Sequence, residues 1–107
     1  MSYEFCQVWL TVGDKKEADK IAKVLLEQKL VACVRQIPVS SAFRWQGKLD
    51  HSEELLLQME SREDLFEQIE AEVAKLHSYD TFVLSATPVS RISVSAETWL
   101  ESELRHE

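Results

Sequence analysis

Basic residues are in short supply in this chain. Twelve Lys and Arg stand against 19 Asp and Glu in 107 residues, a formal net charge of −7. That deficit argues against a general nucleic-acid binder, which needs a basic footprint to displace phosphate counterions. Long apolar runs are missing too. The longest, around Val24-Leu25-Leu26 and Leu55-Leu56-Leu57, fall far short of the roughly 18 residues of a membrane span. No charged N-terminal stretch leads into an apolar core, so no secretory signal is read and no membrane partner is expected. Cysteine is limited to Cys6 and Cys33, both inside apolar runs. A disulfide stays open at this point, but buried free thiols are the expectation for a chain without export features, and the cytosol is the default location. There is no linker, internal repeat or low-complexity segment. With 45% hydrophobic and 29% charged residues, the composition is that of one globular domain over residues 1–107.

Catalytic signatures are absent as well. There is no Ser-x-Gly elbow, no Gly-rich phosphate loop and no paired-carboxylate constellation. No His or Cys pair has the spacing of a closed zinc site. A Cys33–His77 dyad would need folding to bring the two together, and the strand context of Cys33 argues against it. The chain is therefore read as a non-enzyme.

What is present is a clear periodicity. In Phe5–Val12, Cys6, Val8, Leu10 and Val12 share one face, which is a strand. Gly13-Asp14 breaks it, and Asp14 with Glu17 makes a capping-box-like start for a helix over roughly residues 14–29. Ala18, Ile21, Ala22, Leu25 and Leu26 supply its apolar face. Leu30–Val34 reads as a buried strand that continues past Pro38 with a bend or bulge and runs through Phe43 and Trp45. Gln46-Gly47 supplies a turn. A less regular connection over Lys48–Ser52 leads to a strand over Glu53–Met59. Ser61 with Asp64 marks a second helix start, with Leu65, Phe66, Ile69, Val73 and Leu76 as its buried stripe. His77–Asp80 is a loop, Phe82–Ala86 a fourth strand stopped near Pro88, and Ala96, Trp99, Leu100 and Leu104 a short terminal helix.

The order β-α-β-β-α-β plus α is the split βαβ, an α+β ferredoxin-like sandwich with an extra C-terminal helix. Two helices cover only one face of such a sheet. Phe43 and Trp45 lie two apart and share a face, where each can bury about 150–250 Å². An aromatic, uncovered sheet face and long strands with unpaired ends point to a homo-oligomer.

Three segments carry a resemblance to a known family. Leu30-Val31-Ala32-Cys33-Val34, Phe43-Arg44-Trp45-Gln46-Gly47 followed by Glu54-Leu55-Leu56-Leu57, and His77-Ser78-Tyr79 with Pro88 and Trp99-Leu100 occur in order. Together they resemble the CutA family, the divalent-cation-tolerance proteins, over roughly residues 5–104. The resemblance implies a compact homotrimer similar in architecture to PII-type signal transducers, and a role in tolerance of copper and other divalent cations. The departures are specific. The family's His-Pro-Tyr-Glu-x-Pro-Glu loop is His77-Ser78-Tyr79-Asp80-Thr81-Phe82-Val83 here. The family's Lys-Thr at the end of the third strand is Glu60-Ser61, and the Asn after the Cys strand is Arg35. Residues ending neighbouring strands could meet across the sheet, so Arg35 and Glu60 read as a compensating pair. The position of a Cys that some members offer as a copper ligand is Leu10, so His77 survives from a Cys/His/Glu set without its partners.

His77 with Asp80 is the candidate site for a divalent cation, Cu(II) or another. The alternative is that His77 simply closes a helix, complementing its dipole. Cys33 is either a soft metal ligand or a buried strand cysteine, and its apolar neighbours favour the second. Glu53, Glu54 and Glu60 form either a weak cation patch or a solvated strand end. Phe43, Arg44 and Trp45 frame either a ligand cleft or an intersubunit contact, with Arg44 pairing to a carboxylate such as Glu54. Tyr79 and Trp99 are further cleft or interface anchors. Three functions compete: a metal-tolerance trimer, a PII-like small-ligand module or adaptor, and a scaffold without metal function.

Overall fold

Alternation in the first strand sets the sheet. A computed structural model describes residues 4–106. In β1 (Phe5–Val12) the residues Cys6, Val8, Leu10 and Val12 are buried and the ones between them are not. β1 pairs antiparallel with β3 (Lys48–Arg62) on one side and β4 (Leu84–Pro88) on the other, and β3 pairs antiparallel with β2 (Cys33–Trp45). The strand order β2-β3-β1-β4 is that of the ferredoxin-like arrangement.

Helix α1 (Lys15–Glu27) starts where the sequence places it. Asp14 caps it by accepting from the Glu17 amide at 2.9 Å, and Glu17 reaches back to the Gly13 amide at 3.2 Å, a reciprocal capping box. It ends with Lys29 at φ 58°, the Leu30 amide donating to Leu25 and the Lys29 amide to Leu26. That is a Schellman closure with a lysine in the left-handed position usually given to glycine. α2 (Phe66–Leu76) follows a short 3-10 turn at Glu63–Leu65. Its Ile69 and Val73 join Ala18, Ile21 and Leu25 of α1 over the buried side of the sheet, and Leu100 of α3 (Val94–Glu103) and Leu104 enter the same core.

The structure differs from the sequence reading at six points. Leu30 and Val31 are buried, but they lie in the connection after α1, and the strand begins at Cys33. Cys33 is half-buried, because β2 alternates and places it on the face the helices leave bare. Pro38 makes no bulge: the register passes unbroken through Pro38 opposite Leu55, which an edge strand allows because its outer amides need no partner. β3 is continuous from Lys48, since backbone pairing with β2 does not depend on apolar side chains there. Ser61 is not a helix cap. Its hydroxyl donates to the Leu30 carbonyl at 2.6 Å and belongs to β3. The fourth strand starts at Leu84 because Phe82 is stacked on His77 instead, at 5.3 Å between ring centres.

The C-terminus is held by arginines. Arg62, fully buried, grips Asp64 through two contacts of 2.8 and 3.0 Å and donates to the Arg105 carbonyl. Arg105 in turn donates to the Gln28 carbonyl and to Gln68. This clasp joins α1, α2 and the tail.

The β2–β3 hairpin turns on Gln46 (φ 51°) and Gly47 (φ 80°), the pair of positive φ angles that a two-residue primed turn requires. Alanine at Gly47 meets no atom but is strained by the backbone, and should lower stability by about 1 kcal/mol. Lys29→Gly relieves the same strain and should raise it by up to about 1 kcal/mol. Urea denaturation of both variants reads the two opposite signs.

Candidate functional site

Parity along the strands assigns the uncovered face. Trp9 and Thr11 of β1, Gln58, Leu56 and Glu54 of β3, and Cys33, Arg35, Ile37, Phe43 and Trp45 of β2 share it by register. β1 stops pairing at Val12 opposite Leu55, so the rest of the hairpin projects as a two-stranded arm. Between the arm and the loop before β4 lies a groove of about 940 Å³, walled by Phe43, Trp45, Trp9, Glu54, Tyr79 and Asp80 among others.

The loop that closes one side of this groove is built by Glu17. One carboxylate oxygen accepts from the Gly13 amide and the other from the Ser78 amide at 2.8 Å. Burial works against its charge, but the hydrogen bonds from Ser78 and Gly13 outweigh it and hold the carboxyl below its ordinary value. The His77 ring is enclosed. Its Nε2–H donates to the Thr11 carbonyl at 2.8 Å, and its Nδ1 accepts from the Tyr79 amide at 3.0 Å. Tyr79 then donates its hydroxyl to Glu54 at 2.8 Å. Burial, followed by the bond to Glu54 and nearby negative charge, pushes Tyr79 up to about 12. Gly13 sits where a side chain would approach the Tyr79 hydroxyl at 3.4 Å, so the loop packs close against the end of β1.

The structure gives His77 and Asp80 different surroundings. Both nitrogens of His77 are engaged by backbone groups, so the ring has no lone pair to offer a cation in this geometry. The ring ties the end of α2 to β1, closer to the helix-closing alternative. Asp80 is exposed and lines the groove. Among the described residues no three His, Cys, Asp or Glu side chains form a group able to hold a metal. Arg44 lines the groove but does not pair with Glu54, which is bonded to Tyr79 and lies opposite Val39. Cys33 lies on the uncovered face outside the groove lining, opposite Glu60. Arg35 meets Glu60 at 2.7 Å and Gln58 at 2.7 Å, the compensating pair read from the sequence. Of the acidic trio, Glu53 bonds Ser40 and belongs to the opposite face. Trp99 is exposed on α3, away from the groove lining. Cys6 is buried, and burial ahead of the charges of Glu63 and Asp64 pushes its thiol up to about 12, which leaves it unreactive.

Two contributors were legible only in part. Trp9 reads in the sequence as an open-face or interface anchor and Glu17 as half of a capping box; that Trp9 lines the groove with the arm and that Glu17 also holds the Ser78 amide are tertiary.

These features define a ferredoxin-like α+β protein with a projecting hairpin arm and one bare sheet face. Comparison with known proteins then gives the family. A family model described as CutA1 divalent ion tolerance protein matches residues 6–103. A Divalent-cation tolerance protein CutA of Archaeoglobus fulgidus is 35% identical over 94 residues, 88% of this chain and 92% of its own. A Thermus thermophilus protein of the same name is 34% identical over 94 residues, 87% of this chain and 91% of its own. A crystal structure of CutA1 from Oryza sativa superposes with a TM-score of 0.94 at 28% identity, covering 99% of this chain and 98% of that one. The chain belongs to the CutA1 divalent ion tolerance protein family. A solved A. fulgidus relative is described as periplasmic and an Arabidopsis thaliana one as chloroplastic. No helix among the described residues is long and apolar enough to cross a membrane.

The lowered carboxyl of Glu17 predicts an acid limit. A group whose native value lies below its unfolded one stabilises the fold above the ordinary value and loses that contribution as pH falls through the native value. Stability should fall as pH drops below about 4.5. Glu17→Gln keeps only one acceptor oxygen, should cost about 1–2 kcal/mol at neutral pH, and should show a shallower acid decline. Thermal melts between pH 3 and 7 measure both.

Proposed function

We propose that this chain serves divalent-cation tolerance as a non-enzymatic homotrimer that binds Cu(II) or another divalent cation in clefts between subunits. The observation that carries the reading is the family match over residues 6–103, joined to a fold that leaves one sheet face bare. The fold supports assembly on physical grounds. A two-stranded ribbon is marginal in water on its own, and β2 is a 13-residue strand with an open edge, a ready template for another chain. Ile37 at 41% exposure adds apolar surface to that face.

Three subunits is what the family resemblance implies. Because one chain offers no three-donor group among its described residues, cation binding in this reading draws donors from more than one subunit. Asp80, exposed at the groove, is the side chain assigned to it. His77 positions the loop without touching the cation. Two unpaired thiols suit a reducing compartment, and we assign the cytosol.

Calorimetric titration with Cu(II) and Zn(II) tests the site. Asp80→Asn should weaken binding at least about tenfold, while Glu67→Gln on the exposed side of α2 should leave it unchanged. Equal affinities for wild type and Asp80→Asn would remove Asp80 from the site.

A further inference from the structure

We infer that Arg35 of one subunit pairs with the partner subunit's Glu60, and that this ion pair decides which chains can share the assembly, admitting a second copy of this one. The inference rests on the trimer reading and adds the side chains that choose the partner. The bare face is poor in charge where the body of the sheet backs it. Taking alternate residues over the rows from Cys33–Glu60 to Val39–Glu54, from Gln7 to Thr11 of β1 and from Ser85 to Thr87 of β4, its charged residues are Arg35, Glu60 and Glu54. The whole chain is 29% charged. Depletion of charge toward the centre marks a protein–protein contact. Glu54 already accepts from the Tyr79 hydroxyl, which leaves Arg35 and Glu60 as the charges that a second copy meets on this face.

Within one chain these two groups are only half used. Arg35 Nη1 donates to Gln58 and to Glu60, each at 2.7 Å, and Gln58 donates to the same Glu60 oxygen, Oε2, at 3.1 Å. Glu60 Oε1 and the Nε and Nη2 of Arg35 stay available, and the Arg35 side chain is 55% exposed. Each subunit thus carries a spare acceptor and spare donors side by side. Around a rotation axis every copy meets the next in the same way, so what one copy leaves over is supplied by its neighbour. Arg35 donating to the partner subunit's Glu60 satisfies both and closes a ring of alternating charge. Covered without such a partner, the same donors would lose water and gain nothing in return. A covered ion pair adds little net stability, but it rejects a neighbour that brings charge of the wrong sign.

Native mass spectrometry of co-expressed full chains tests the pair, with a short tag on one chain as a mass label. The double variant Arg35→Glu/Glu60→Arg keeps the pair within each chain and keeps the alternation between like copies, so it should form trimers of its own. Beside wild type it sets Arg against Arg and Glu against Glu at each mixed contact. Mixed trimers should therefore fall at least about tenfold below their random share, while tagged and untagged wild type mix at random. Random mixing of the double variant with wild type would confine the pair to one chain and overturn the inference, leaving the trimer reading intact. A wild type that shows only the mass of a single chain would overturn both. If the double variant does not assemble alone, Arg35→Lys serves instead. A carbodiimide, which joins an amine to a carboxylate in contact, should link position 35 to position 60 between a tagged and an untagged chain. Links confined to a single chain would overturn the inference.

Discussion

Backbone pairing runs out before the β2–β3 hairpin does. β3 has 15 residues and β1 has eight, and their ladder ends at Val12 opposite Leu55. Everything beyond that point is a ribbon of two strands with no third strand and no helix behind it. The longest dimension of the molecule, 47 Å against 25 and 21 Å, is the direct result. A ribbon of this kind cannot dry both of its faces, yet the arm carries Phe43, Trp45 and Leu49, the last 78% exposed. The groove exists because the arm overhangs the body, and the case for assembly exists because neither the arm nor the bare sheet face is covered by this chain.

At the base of the arm the body is made rigid by hydrogen bonds. Glu17 serves as helix cap and loop clamp together, using both carboxylate oxygens. His77 joins the end of α2 to the last turn of backbone in β1, and Tyr79 carries the connection on to β3 through Glu54. Four elements therefore meet at one corner. The consequence for function is that the groove has one firm wall, the loop from His77 to Asp80, and one projecting wall, the arm.

The order of elements was legible because local signals agreed with the fold. The alternation of β1, the Asp14–Glu17 box and the Gln46-Gly47 turn each act over a few residues, and each stands where it was read. Arg35 with Glu60 was legible across 25 positions because charges of opposite sign replaced the resembled pattern together. Segments were misread where a residue's role is set by distant chain. Lys48–Ser52 is polar and looks like a loop, yet it is held by ladder bonds to β2 that side chains do not reveal. Leu30 and Val31 are apolar for the sake of the core, not of a strand. His77 has the chemistry of a ligand, and only the folded position of the Thr11 carbonyl shows that its nitrogens are taken. Phe82 has strand propensity, and stacking on His77 removes it from the ladder.

Membership in the CutA1 family fits a chain whose own packing stops at one face of its sheet. In the proposed trimer, other copies would be set against the bare face and the arm. Sedimentation equilibrium of the full chain at micromolar concentration tests this claim most directly. The account predicts a single species of three chain masses that persists on dilution. A monomer at that concentration, with the arm and the bare face left in water, would contradict it.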